Sequence, residues 1–355
     1  MTCHVCVVVH TPAHSQVSGP LTYGSVQPLA PGTLVRVPLG KRETLGVVWD
    51  TDPHAPPPPD SMDVKPVASV LDALAPLPAA WRELVAFSAR YYQRSLGEVA
   101  LAALPPQLRD LGVEQLARRL KRAKDTAPTT SNTTDLIALS AEQQSAIGQF
   151  GTKNGPFLLF GATGSGKTEV YLRCVQRVLD ADPAAQALVM VPEINLTPQV
   201  EARFQARFGA ERVVSIHSGM THPQRLRSWL AAHSGAARIV LGTRMAVFAS
   251  MRGLRLIIVD EEHDPSYKQQ EGARYSARDL AVYRGKLEGA KVMLGSATPS
   301  LESWHHSRPA AEGGRYVRLA MPSRIGEGSL PLVRRVDMNQ QPRRAVFSTP
   351  LLAAI

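Results

Sequence analysis

The chain has 355 residues, 44% of them hydrophobic and 20% charged, with a formal net charge of +10. That length predicts two or three domains, and the composition excludes a disordered, collagen-like or disulfide-stapled chain. The basic surplus favours a polyanionic partner, nucleic acid or an anionic membrane surface, and no apolar run reaches the roughly 18 residues that predict a membrane span.

The chain opens on Cys3-His4-Val5-Cys6. Its C-x-x-C spacing could suit zinc, but no second pair follows and the segment runs into an apolar strand, so ordinary strand cysteines are expected. With Cys174 these are the only cysteines, which predicts a reducing, cytoplasmic setting. No basic segment followed by a long apolar run marks a signal peptide. Val5 to His10, Thr33 to Val37 and Thr44 to Trp49 read as strands punctuated by Pro, Gly and Ser. A small β-rich domain over 1–75 is expected. Thr51 to Asp60, with Pro56 to Pro59 consecutive, reads as a stiff spacer.

A helical segment and linker are expected over 76–135. Trp81, Leu84, Val85, Ser88, Tyr91 and Tyr92 recur at helical spacing within a helix over 78–102. A basic helix over Val113 to Lys124 and a Thr/Ser/Pro linker over Thr126 to Thr134 follow. From Leu136 the texture changes. Phe157–Phe160, Ala187–Val191, Val213–Ile216, Arg238–Leu241, Leu254–Val259 and Lys291–Leu294 are apolar runs separated by helical patterns. This β-α rhythm predicts an α/β domain with a parallel sheet covered on both faces, over 136–312.

Gly161-Ala162-Thr163-Gly164-Ser165-Gly166-Lys167-Thr168 fits the phosphate-loop pattern in full and sits between an apolar strand and a helical pattern. Its glycines let backbone N–H groups curl around phosphate oxygens, and the helix N-terminus favours the same anion. Lys167 is expected on the β and γ phosphates and Thr168 on Mg²⁺. The second element is Asp260-Glu261-Glu262-His263, after the apolar run Leu256 to Val259. Acids at a buried strand's end lie where ligands bind in such sheets. Asp260 is expected to hold Mg²⁺ through water and Glu261 to activate the attacking water. An acidic strand end that caps a helix is the plain alternative.

Asp-Glu-Glu-His with the phosphate loop resembles the superfamily 2 helicases. Val191-Pro192-Glu193-Ile194, Leu196-Thr197-Pro198-Gln199, His217-Ser218-Gly219, Gly242-Thr243-Arg244, Ser266 to Glu271, Ala277-Arg278-Asp279 and Gly295 to Glu302 resemble the PriA family of replication-restart helicases. Leu21-Thr22-Tyr23, where that family usually has Phe-Asp-Tyr, and Val35 to Arg42 resemble its N-terminal DNA-binding domain.

The resemblance implies a RecA-like motor lobe and an ATP-dependent 3′→5′ DNA helicase. It further implies forked and single-stranded DNA, other primosome proteins and single-stranded DNA-binding protein as partners. Gln143 would read the adenine edge. Thr197, Gln199, Thr243 and Arg244 would hold a strand's phosphates. Tyr267, Lys268, Tyr275 and Arg278 would combine base stacking with phosphate pairing, against the plain alternative of a solvated loop with buried tyrosines. Lys41 and Arg42 would contact DNA from the N-terminal domain. Ser296 and Thr298 would link the nucleotide site to domain movement.

Residues 313–355, with Tyr316 to Leu319 and Leu330 to Met338, are expected to begin an incomplete second lobe. The family's zinc-binding cysteines would lie beyond Ile355. A non-catalytic ATP- and fork-binding scaffold is the rival reading.

Overall fold

The computed structural model describes residues 3–11, 19–50, 64–109, 111–112, 115–116, 118, 137–193, 198–325 and 333–354. The Pro-rich spacer, most of the basic helix, the Thr/Ser/Pro linker and Thr197 lie outside the described residues.

The N-terminal region is an antiparallel sheet of β1 (Cys3–Val9), β2 (Leu21–Ser25), β3 (Leu34–Leu39), β4 (Arg42–Val48) and β5 (Ser69–Val70), in the order β2-β1-β4-β3-β5. Period-2 alternation divides its valines between two faces. Val5, Val7, Val9, Val35, Val37 and Val48 make one small core. Val8, Leu34, Leu45 and Val47 face the other way and join the main core. Leu39 pairs with Arg42, so Gly40-Lys41 is a two-residue hairpin turn, with Gly40 at φ +63°.

The helix expected over 78–102 is two helices, α1 (Ala79–Tyr91) and α2 (Leu96–Ala102). The break has local causes. Gln93 adopts a left-handed φ of 54°, and the Ser95 hydroxyl accepts the Glu98 N–H as a new N-cap. The bend lets α2 lie on the sheet, with Gly97 against the Val9 backbone, where a side chain would clash.

The second sheet has seven parallel strands: β6 (Phe157–Gly161), β7 (Gln186–Met190), β8 (Val213–Ile216), β9 (Ile239–Gly242), β10 (Leu254–Val259), β11 (Lys291–Ser296) and β12 (Val317–Met321). Their order is β12-β6-β11-β10-β7-β9-β8. All six expected strands are present. β12 corrects the reading of Tyr316 to Leu319 as the lead into another lobe, because Val317 to Met321 pair in parallel with Phe157 to Gly161 and extend this sheet.

One sheet face (Leu159, Val189, Leu241, Ile258, Met293, Leu319) packs on Ala146 and Phe150 of α3 (Ala141–Thr152), Val170 and Cys174 of α4 (Lys167–Ala181), and Phe204 of α5 (Pro198–Phe208). The alternate residues (Leu158, Leu188, Val240, Ile257, Leu294) pack on α6 (His222–Ser234) and α7 (Ala277–Glu288). α8 (Leu301–His306) follows β11, and α9 (Thr349–Ala354) buries no side chain. No helix among the described residues is long and apolar enough to cross a membrane.

The N-terminal helices complete the second face. Trp81, 1% exposed, donates its indole N–H to the Phe248 carbonyl at 2.8 Å, and Phe87 stacks on Tyr283. Arg82 grips Asp50 through two 2.8 Å bonds, tying the end of the first sheet to α1. His233 bridges the Ala75 carbonyl (2.8 Å) and the Ser250 hydroxyl (2.9 Å). A carbonyl only accepts, so Nε2 carries the proton.

Burial lowers the His233 imidazole from 6.5 to about 4. The unfolded chain therefore takes up a proton below pH 6.5 that the native protein refuses down to about pH 4. Stability present above pH 6.5 should fall across that window by about 3 kcal/mol. Urea unfolding at stepped pH checks this, and His233→Gln should remove that part of the slope.

Candidate nucleotide site and nucleic-acid face

The strand order decides where chemistry can occur. β6 and β10 flank β11, so the loops leaving all three emerge at one edge. Gly164 and Gly166 hold φ of +83° and +79°, which side-chain-bearing residues rarely adopt. A Cβ on Gly161 would sit 2.6 Å from the Ser165 hydroxyl. Gly166 is the N-cap of α4, so the first amides of that helix open onto the loop. Thr168 is half-buried in its first turn. Lys167 Nζ donates to the Gly161 carbonyl at 3.0 Å and lies 3.5 Å from Glu261.

Gln143 is 1% exposed and serves the loop from behind. It forms a capping box with Ser140 and donates its amide to the Gly166 carbonyl at 3.2 Å. The expected adenine contact is thereby corrected to a brace on the phosphate loop, since a buried amide with both ends engaged presents no free edge.

The Asp260 carboxylate accepts a 2.7 Å bond from the Tyr171 hydroxyl, and its carbonyl accepts another 2.7 Å bond from Tyr267. Burial pushes its carboxyl above the ordinary range, against the opposing bond from Tyr171. Burial and Asp260 together raise the Tyr171 phenol well above its usual value, so it remains a donor. Glu261 sits at a left-handed φ of 44°. Such a backbone costs on the order of 1–3 kcal/mol and collects at functional sites. It brings the carboxylate between Lys167 and His263, 3.7 Å from the latter.

Glu262 turns the other way. It is 1% exposed and accepts from the Ser300 N–H (2.7 Å), the Ser300 and Ser303 hydroxyls (3.1 and 3.0 Å) and Arg278 (3.3 Å). His263 reaches Ser296 at 2.8 Å and Thr298 at 3.3 Å. Along these four consecutive residues Asp260 and Glu261 thus lie toward the phosphate loop, Glu262 turns inward, and His263 meets the end of β11.

The expected DNA contacts divide. Lys41, Arg42, Gln199 and Lys268 are exposed. Lys268 lies 5.4 Å from the Tyr92 ring. Arg244 is partly exposed and bound to Gln269 at 2.6 Å, and Thr243 is buried beside it. Tyr275 packs edge-on against Phe248, and burial raises its phenol to about 12. Tyr267 is 2% exposed and corrects the stacking expectation, because its ring is enclosed and its hydroxyl supports Asp260. Arg278 is likewise committed to Glu262 and to Asp279 at 2.8 Å, not to an open surface.

Tyr171 was not singled out from sequence. The signal was Gly295, whose missing Cβ leaves the room the Tyr171 hydroxyl occupies. Among the described residues no cluster of His, Cys, Asp and Glu is built to hold a metal by itself.

Residues 140–306 match the DEAD/DEAH box helicase family, and residues 6–105 match the 3′ DNA-binding domain of PriA. The replication restart protein PriA of Haemophilus influenzae is 34% identical over 90% of this chain and 52% of its own length. Those of Bacillus subtilis and Chlamydia pneumoniae are 43% and 44% identical over 55% and 61% of this chain, and over 24% and 29% of their own lengths. The chain spans about half the length of the first of these relatives. With matches both to the 3′ DNA-binding domain and to the DEAD/DEAH box helicase family, and with these relatives, it belongs to the PriA family of replication restart proteins.

Proposed function

We propose that this chain is the ATP- and DNA-binding front part of a replication-restart helicase that couples ATP hydrolysis to 3′→5′ movement on forked DNA. The observation that carries the reading is the meeting of Lys167 with Glu261 at 3.5 Å, beside Asp260, at the edge where β6, β11 and β10 end.

The residues present fit Mg²⁺–ATP. The Gly161 and Ser165 contact leaves a cradle that a Cβ would fill, and the buried Ser165 hydroxyl has no partner among the described residues. The backbone amides from Gly164 to Thr168 and the Lys167 ammonium would hold the phosphates. Thr168 and Asp260 would hold Mg²⁺, which supplies neutralisation of phosphate charge when bound. Tyr171 keeps the Asp260 carboxylate oriented. Glu261 would orient the attacking water and take its proton. DNA would cross Gln199, Arg244 and Lys268, with Lys41 and Arg42 on the branched end.

Steady-state ATPase with and without forked DNA tests the reading. Lys167→Ala should remove nucleotide binding. Glu261→Gln should keep nucleotide binding and lower DNA-stimulated turnover by about 10²-fold or more. A chain with no affinity for nucleotide would sink the proposal.

Asp260→Asn gives an independent check through stability. The native carboxyl titrates above its unfolded value, so the wild type is favoured at low pH and loses stability as pH rises from the ordinary carboxylate range through the raised native value. In metal-free buffer the variant should melt higher than wild type at neutral pH. The gap should close below the ordinary carboxylate range.

Phosphate contacts make affinity for duplex DNA fall with salt, with a log–log slope of about −0.9 per contact. Lys41→Ala with Arg42→Ala should flatten that slope by about one to two, measured by fluorescence anisotropy. A slope identical to wild type would remove these two residues from the interface.

A further inference from the structure

The chain leaving β12 lies across the phosphate loop. β12 runs parallel to β6, so both strands deliver their C-terminal ends to the same edge. The Ala162 N–H donates to the Met321 carbonyl at 3.1 Å, and the Ile325 N–H donates to the Gly164 carbonyl at 3.0 Å. Between these fastenings, Ser323 gives its N–H and its hydroxyl to the Glu142 carboxylate at 3.2 and 2.8 Å. Glu142 neighbours Gln143, which donates its amide to the Gly166 carbonyl. Ile325 closes on Gly166, where an added Cβ would lie 2.5 Å from its Cδ1.

Arg324 sits in the middle of this strap. Its Cγ is 3.9 Å from where a Cβ on Gly164 would be, so its stem rises directly from the turn of the phosphate loop. The side chain is exposed, and the strap is fastened by Ser323 and by backbone groups rather than by the guanidinium. A long cation anchored over a loop shaped for phosphate, on a backbone already fixed, meets an anion with little added ordering cost. A guanidinium also matches phosphate oxygens in a fork that an ammonium cannot reproduce.

We propose that Arg324 is a nucleotide-binding residue, whose guanidinium pairs with a phosphate oxygen of a nucleoside di- or triphosphate seated in the loop Gly161–Thr168. The proposal rests on the reading of that loop as a nucleotide site and adds a residue more than 150 positions away in sequence. Ser323 and Glu142 are positioning residues for it.

The test is equilibrium binding of fluorescent ADP and ATP analogues to the full chain, with Lys167→Ala as reference. Arg324→Ala should raise both dissociation constants about tenfold. Arg324→Lys should recover part of the loss, because it keeps the charge but not the fork. Glu142→Ala, which unfastens the strap, should weaken binding in the wild-type background and cost little more in the Arg324→Ala background. The nucleotide-free melting temperature of Arg324→Ala should match wild type. Unchanged dissociation constants, with binding still lost in Lys167→Ala, would overturn the role of Arg324 and leave the nucleotide site standing. A melting temperature that falls along with affinity would make Arg324 a structural residue and overturn the proposal too. Absence of nucleotide binding in the wild type would overturn both readings.

Discussion

Everything at the nucleotide edge depends on β11 lying between β6 and β10 with small residues at its end. Gly295 has no side chain, and that space is filled by the Tyr171 hydroxyl on its way to Asp260. The Gly295 carbonyl accepts the Glu262 N–H at 3.0 Å, which registers the acidic segment against the central strand. Ser296, the next residue, supplies a hydroxyl to His263 and accepts the Thr298 N–H. A larger side chain at Gly295 would push Tyr171 off Asp260 and leave a half-buried carboxylate without its donor, which costs more than the bond itself contributes.

The sheet also explains why the N-terminal region is part of the motor lobe's packing. Parallel sheets are stable when both faces are covered. One face is covered by helices of the lobe alone. The other needs α1, whose Trp81 reaches Phe248, and it needs the Ala75 carbonyl for the otherwise buried His233. Arg82 then carries the connection to Asp50 at the end of β4, and lowers that carboxyl below its ordinary value. The first sheet is therefore joined to the lobe through packed side chains among the described residues.

Sequence disclosed the elements whose signal is local. The buried strands are continuous apolar runs, and the phosphate loop needs its glycines at fixed spacing, so both were legible. β12 was not, because an edge strand is only half-covered. Val317-Arg318-Leu319-Ala320-Met321 alternates buried and open positions over five residues and carries a charge. The break between α1 and α2 hid behind good helical spacing on both sides, and only Ser95 with Glu98 three residues later marked it. Residue identity misled where burial decides the role. Tyr267 and Arg278 have the chemistry to meet DNA, yet one is enclosed and the other is neutralised by Glu262 and Asp279. Gln143 carries an amide suited to a base edge but spends it on Ser140 and Gly166. Nothing local in the sequence states which partner a polar group has found.

The four residues Asp260 to His263 show how one short acidic word performs two tasks. Asp260 and Glu261 face the phosphate loop and carry the raised carboxyl and the left-handed backbone of the segment. Glu262 faces inward and is fully compensated, by one guanidinium, two hydroxyls and one amide. A buried carboxylate with that many donors is costly to disturb, since removing any one leaves charge without its partner. Its donors Ser300 and Ser303 open α8, and Arg278 opens α7. Glu262 therefore pins the start of both helices to the segment that carries Asp260 and Glu261. The acids cannot shift relative to those helices without breaking this cluster. Within that fixed backbone, and with Asp260 held by Tyr171, the side chain placed to change partners is Glu261, with Lys167 on one side and His263 on the other.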